Sequence, residues 1–520
     1  MFSLLLLLLG LPGALPAESA AARRWWAHVE YLAGDKLQGR DTGSDGHKQA
    51  ARYVAQEFER AGLRPASASG YFQPVPFRSL TLDEPASSLE LRFPSRGEKL
   101  TLGIDAYFGL RGNPVPQIDA EMVFVGYGFA VPEHRYDELA GLDLNGKVAV
   151  YLTGSPKHLP PSLVSHYQSA EQRWRRLKEA GAVGVAILSN PTATDTSFER
   201  SRSARFVPAM RLAGVETEGP GCTVTINPAQ ANRWLDGAGH TFEEILSLAA
   251  ANKPLPKFPL HARLAARMKI NTAELLSDNI AGLKEGTHPR LKNELLVLSA
   301  HVDHVGVSRT LTGDKIYNGA MDNASGIASL IEIAKALKGK KLKRSVLFLA
   351  LTGEEKGLLG SQYFVHSPTA PRDTIVANLN FDMFLPLFPL ERVIMYGLEE
   401  STLADTVTRV AAKAGIEVIP DPEPQRNRFI RSDQYSFIRR GIPAAAFKLG
   451  YKPASPEERI FQTWMKERYH AVSDDLQQPV DKEAAVRFNK LMQAVAAALA
   501  NASQRPAWKQ DSFFKRFARP

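Results

Sequence analysis

Three apolar runs in this sequence each end on a residue able to hold a metal ion. LLVLSAHVD (295–303) ends in His301 and Asp303, VLFLALTGEE (346–355) in Glu354 and Glu355, and IVANLNFD (375–382) in Asp382. Between the first two runs, NGAMDNASG (318–326) contributes Asp322. Near the C-terminus, RYHAVSDD (468–475) contributes His470. His301, Asp322, Glu355, Asp382 and His470 are hard-to-borderline donors, enough for two divalent ions of the zinc type. Glu354, beside Glu355, is placed to accept the proton of a metal-activated water. Residue types and spacing therefore imply a dinuclear metallohydrolase.

Singly, each residue has a plainer reading. Asp322 precedes a helical pattern and could be its N-cap. Adjacent glutamates are usually a charged surface turn. Here Glu354 and Glu355 follow an apolar strand and precede GLLGSQYF, which argues for burial. Asp382 lies in LNFDMFLPLFP, and a buried carboxylate without a partner is costly. Asp303, two residues past His301, is expected to accept a hydrogen bond from the ring nitrogen that faces away from the metal, fixing the tautomer. His28, His47, His134 and His158 lack such a context and are expected on the surface.

The elements that carry these residues alternate strand, helix, strand, helix toward the C-terminus. That alternation predicts an α/β fold, an α/β/α sandwich around a mixed, largely parallel sheet. In open sheets of this kind ligands bind beyond the carboxyl ends of the strands. His301, Glu354, Glu355 and Asp382 all fall there. Upstream, residues 23–63 read as helix, loop, helix, and a β-rich stretch follows. Residues 117–260 read as a separate β-rich module inserted into the chain. The expected division is a signal peptide at 1–17, an N-terminal part of the catalytic domain at 18–116, the insert at 117–260, the catalytic domain at 261–500 and a basic tail at 501–520. The tail is expected to fray unless Trp508, Phe513, Phe514 and Phe517 dock on the body.

A chain of 520 residues exceeds one ordinary core. Hydrophobic content of 44% and charged content of 23% are those of a globular protein. The net charge of +9 is modest and scattered. Its basic runs at 338–344 and 509–519 read as a solvated turn and a tail, and no nucleic-acid motif accompanies them. No nucleic-acid role is expected. MFSLLLLLLGLPGALPA (1–17) reads as a secretory signal, too short to span a bilayer. The mature protein is expected to be soluble, without a membrane span, and exported to the periplasm or secreted from a bacterium. The lone Cys222 precludes an internal disulfide and is expected to be buried and structural.

The motifs AHVDHVG, YNGAMDNASG, LTGEEKGLLGS, LNFDM, RSDQYSFIRRGIPA and RYHAVSDD, in that order, resemble the M28 family of zinc aminopeptidases. LQGRDTGSDGHKQAARYVAQEF and GYFQPVPF resemble that family's opening. VFVGYGFAVPE, DLNGKVAVYL and RLKEAGAVGVAIL resemble a protease-associated (PA) domain, so the resemblance is to the subgroup carrying that insert. It implies two zinc ions, other divalent ions being possible, and peptide substrates. It further implies one metal at His301 and Asp382, the other at Glu355 and His470, and Asp322 bridging them. Glu354 would be the general base, and Asp303 the partner of His301. The chain departs from the family pattern twice. Met321 precedes Asp322 where relatives commonly have Asp. Gln434 follows Asp433 where many have His, a position that often donates to the tetrahedral oxyanion. Gln434, or Tyr435 in its place, is the expected donor here. The competing readings are a carboxypeptidase or cyclising acyltransferase on the same scaffold, or a non-catalytic peptidase-like binding protein.

Overall fold

Leu295–His301 and Ser345–Leu351 are buried along their whole length, a pattern that only a strand covered on both faces allows. The computed structural model describes residues 18–194, 196–212, 214–215 and 219–518. The expected signal at 1–17 lies outside the described residues.

The buried strands form the middle of a ten-stranded mixed sheet. Ser345–Leu351, Leu295–His301, Ile375–Asn380 and Ala444–Gly450 run parallel in that spatial order. Arg392–Tyr396 adds antiparallel to Ala444–Gly450 on one side, and Ile270–Lys284 antiparallel to Ser345–Leu351 on the other. The helices Ala20–Leu32, Ser325–Leu337 and Lys482–Asn501 pack together over one face, while Leu359–His366 and Gln434–Ile438 lie over the other. The layers are thus α/β/α, as the alternation predicts. Ser325–Leu337 buries most of its length because it sits between the sheet and two neighbouring helices.

The chain leaves this sheet along Phe72–Leu82 and returns on Ile270–Lys284, paired antiparallel from Phe72↔Ile280 to Leu82↔Ile270. Between the arms of that ribbon hangs a second, eight-stranded sheet with its own apolar core. Its strands include Ser88–Arg92, Gly97–Leu100 and Ala106–Phe108, which the sequence reading assigns to the catalytic part, and Phe258–Arg267, which crosses the expected boundary at 260. Short apolar-alternating strands carry no label for the sheet they join, so the boundary is invisible until the pairing is seen. Cys222 lies buried in this second core, and burial pushes its thiol up to about 12.

Two further expectations are corrected. His28 and His47 are buried, His28 against Tyr53, Glu332 and Lys335, and His47 against Ser277. The tail does not fray: Phe514 is fully buried against Phe429 and Trp508, and Trp508 Nε1 donates to the Gly441 carbonyl at 2.9 Å. Its aromatic residues bury enough apolar surface to outweigh its charge. Among the described residues, no helix is long and apolar enough to cross a membrane.

Candidate metal centre

His301 ends its strand, Glu354 and Glu355 follow Ser345–Leu351 after a short turn, and Asp382 follows Ile375–Asn380. Because these strands are parallel neighbours, their ends deliver the four side chains to one place. Asp322 arrives from the loop at the start of Ser325–Leu337, and His470 from the segment after helix Pro456–Glu467.

The Asp322 carboxylate lies between the two imidazoles. Its Oδ1 is 3.3 Å from His301 Nε2 and its Oδ2 is 3.2 Å from His470 Nε2. His301 Nε2 is also 3.3 Å from Asp382 Oδ1, and His470 Nε2 is 3.2 Å from Glu355 Oε2. Ligands at zinc distances of about 2.0–2.1 Å in a tetrahedron stand about 3.3 Å apart, so all four spacings fit an ion at each of two adjacent positions. The donor chemistry agrees: imidazole nitrogen and carboxylate oxygen suit zinc-type ions.

The charge balance points the same way. Asp322, Glu354, Glu355 and Asp382 converge here, with Asp303, Asp433 and Asp474 buried around them. Burial pushes Glu354 well up, and it pushes Asp433 up to about 7. Burial acts against a charged His301, yet the Glu354 and Asp382 charges outweigh it and hold the ring well above the usual imidazole range. His470 is likewise raised, by Glu355 above all, against its burial. Burial raises Glu355 too, but His470 and His304 outweigh it and hold the carboxylate well below its usual range. A field that draws protons onto two imidazoles in this way is one that draws cations.

Several groups position the cluster without being legible as such in the sequence. Arg40, from the loop LQGR, is almost wholly buried; its guanidinium donates to the carbonyls of Leu32, Val302, Asn318 and Gly319. It thereby ties the segment after His301 to the loop before Asp322. Burial lowers it to about 10, against the attraction of Asp474 and Asp322. Asp474 accepts from the backbone N–H groups of Met321 and Asp322. Gly319 has φ +58°, and a Cβ there would stand 2.1 Å from the Asp322 carbonyl oxygen, so this turn needs glycine. His304 Nδ1 lies 2.8 Å from Glu355 Oε1, a hydrogen-bond distance that leaves Oε2 facing His470. The spacing of His304 from His301 in HVDH was its one available signal.

Asp303 differs from expectation in how it acts. His301 Nδ1 meets the backbone carbonyl of Asp303 at 3.0 Å, while the nearest carboxylate oxygen is 3.9 Å away. The carboxylate instead accepts from Thr42 Oγ1 and from the backbone N–H groups of Glu354 and Glu355. The strand ends at His301, so Asp303 does not keep the shared face that residues two apart have in a continuous strand, and its carbonyl rather than its carboxylate meets the ring.

Glu354, Asp322, Asp382, His470 and Gln434 line a cavity of about 60 Å³. Gln434 has its amide committed: Nε2 donates to the Phe429 carbonyl at 2.9 Å and Oε1 accepts from Asn380 at 3.0 Å. Tyr435 is turned elsewhere, with its hydroxyl 3.1 Å from His166 Nδ1, which removes it as an oxyanion donor. One helical position separates the two side chains by about 100°, which turns them toward different neighbours.

The Peptidase family M28 model matches residues 279–496. A probable leucine aminopeptidase 2 of Aspergillus fumigatus is 32% identical over 213 residues, 38% of this chain and 39% of the relative. An aminopeptidase (YwaD) of Bacillus subtilis is 27% identical over 243 residues, 44% of this chain and 46% of the relative. The chain spans less than half the length of these curated relatives. In fold it is similar to an aminopeptidase from Aneurinibacillus sp. strain AM-1, with a TM-score of 0.55 at 19% identity, covering 94% of this chain and 97% of that one. The residues matched by the Peptidase family M28 model, 279–496, supply every residue of the imidazole–carboxylate cluster, so it is through this segment that the chain is similar to that family.

Proposed function

We propose that this protein is an exported zinc aminopeptidase with two metal ions, removing N-terminal residues from peptides. The observation that carries the reading is the placement of Asp322, one oxygen toward His301 and the other toward His470, at spacings that suit shared coordination. In this reading His301 and Asp382 hold one ion, Glu355 and His470 the other, and Asp322 both. Zinc bound there would acidify a water and polarise the scissile carbonyl.

Glu354 supplies the proton chemistry. Its carboxylate lines the cavity among apolar walls and like charges, which raises its proton affinity toward what a general base at neutral pH requires. It takes the proton of the attacking water and passes it to the leaving amine. Asp303 fixes Glu354 by accepting its backbone N–H. Met383, Tyr396, Ala446 and Met465 wall the cavity and exclude water from the reacting bond. The second sheet is the PA-like insert of this reading, and the apolar run at 1–17 is its export signal.

Hydrolysis of an aminoacyl anilide, lost with a chelator and restored by zinc, tests the assignment. No turnover of any free-amine substrate by the zinc-loaded protein would contradict it. One observation favours a second reading: Arg428, Arg431 and Lys448 also line the cavity and would suit a substrate carboxylate, as in a carboxypeptidase. Preferential cleavage of N-blocked peptides with free C-termini would select that alternative.

A further inference from the structure

The second sheet reaches the metal cluster through two arginines, and both grip backbone on the same side of it. Arg200, in the short helix Phe198–Ser201, donates from Nη1 to the Tyr469 carbonyl at 2.6 Å and from Nη2 to the Lys466 carbonyl at 2.7 Å. Those carbonyls lie at the end of helix Pro456–Glu467 and immediately before His470. A helix C-terminus carries partial negative charge, so a guanidinium is suited to it. Arg111, in the loop after Ala106–Phe108, donates from Nη2 to the Glu355 carbonyl and packs over Gly357, which has no side chain to block it.

Glu355 and His470 face each other at 3.2 Å on one side of Asp322. His470 is the least enclosed of the five candidate ligands, its side chain 28% exposed against 1% for His301. It also has φ +52°, a left-handed backbone that a residue other than glycine adopts only when its surroundings hold it there. Arg200 supplies such a hold from outside the central sheet. On the other side of Asp322, the holds come from the central sheet and the turn that follows its strand: the Asp303 carbonyl meets the His301 ring, and Lys448 holds the segment after Asp382, its ammonium donating to the Met383 carbonyl at 2.9 Å.

We propose that Arg200 and Arg111 are positioning residues by which the inserted sheet sets the affinity of one metal position, that of Glu355 and His470, and leaves the other to the central sheet. The inference rests on the two-metal reading above. It makes the insert part of the metal-holding apparatus, and it predicts an asymmetric pair of ions, one released before the other when the insert's grip is loosened.

The test uses the full chain and zinc alone as the probe. Wild type, Arg200→Ala, Arg111→Ala and the double variant are loaded with zinc and dialysed against graded chelator, and zinc per chain is measured. Circular dichroism and thermal melting of the zinc-free forms check that each variant folds. Wild type is expected to retain two zinc ions. The double variant is expected to keep one at wild-type affinity and to bind the second about 10–100-fold more weakly, the usual effect of losing groups that orient a ligand. Arg200→Lys, which reaches one carbonyl but not two at once, is expected to fall between, and it replaces Arg200→Ala should that variant not fold. Two zinc ions held equally by wild type and double variant, or both weakened in parallel, would overturn this inference alone. A wild-type chain that stays empty in excess zinc would overturn the functional reading with it.

Discussion

The Asp474 carboxylate accepts the backbone N–H of Asp322 at 3.0 Å, and that of Met321 at 2.9 Å. It is fully buried, and Gln478 Nε2 donates to it as well. One carboxylate thus fixes the orientation of another that stands between two imidazoles. We expect Asp474→Ala to weaken zinc binding at both positions by about 10–100-fold, because in the proposed two-metal reading Asp322 serves both. Chelator titration of the loaded variant checks this. Loss confined to one position would show that Asp322 is not shared.

Glu354 lines the cavity, and its carboxylate comes within 4.8 Å of the His301 ring and the Asp382 carboxylate without an ion pair to either imidazole. Glu354→Gln is therefore expected to lower kcat about 10²–10⁴-fold while zinc content stays unchanged. Steady-state kinetics beside metal analysis separates the two effects. A variant with full activity would remove Glu354 as the base, and one without metal would make it a ligand.

Acid stability is expected to depend on His47. Burial lowers this imidazole to about 3, with the Arg40 and Lys48 charges adding to the effect. The unfolded chain takes up a proton below about pH 6.5, its ordinary value, whereas the folded chain does not until about pH 3. The unfolded state therefore binds more protons throughout this window. Stability falls as pH falls across it, by up to about 1.4 kcal/mol per pH unit from this one group. In His47→Gln the slope of unfolding free energy against pH between about 6 and 4 should be flatter by that amount. Unchanged slopes in urea denaturation would contradict the assignment.

The C-terminal segment is expected to be structural. Phe514 is fully buried against Phe429, whose carbonyl accepts from Gln434 Nε2 in the cavity wall. Phe514→Ala should cost about 3–5 kcal/mol of stability, the usual result of emptying a buried aromatic site. Thermal melting measures it. A loss below about 1 kcal/mol would mean that the segment is only laid on the surface.

How far the sequence could be read follows from which contacts are local. A buried strand announces itself by its apolar run, and a parallel sheet brings strand ends together, so His301, Glu354, Glu355 and Asp382 could be grouped from their positions alone. His470 and Asp322, on loops, needed the motif resemblance to be given a partner. Arg40, Asp474 and Arg200 act through long-range contacts to backbone carbonyls and N–H groups, which leave no pattern in the sequence around them. Tyr435 failed as a donor because which face of a short helix meets the cavity is decided by packing, here against His166 of the other sheet's layer. His28 and His47 looked superficial because a buried histidine needs only a nearby hydroxyl or charge from another element.

Zinc content per chain, measured on protein equilibrated with zinc and then freed of loosely bound metal, tests the central claim most directly. Two ions per chain are expected in wild type, and Asp322→Ala is expected to hold neither tightly. A protein that binds no zinc, or one whose binding is indifferent to Asp322, would contradict the account.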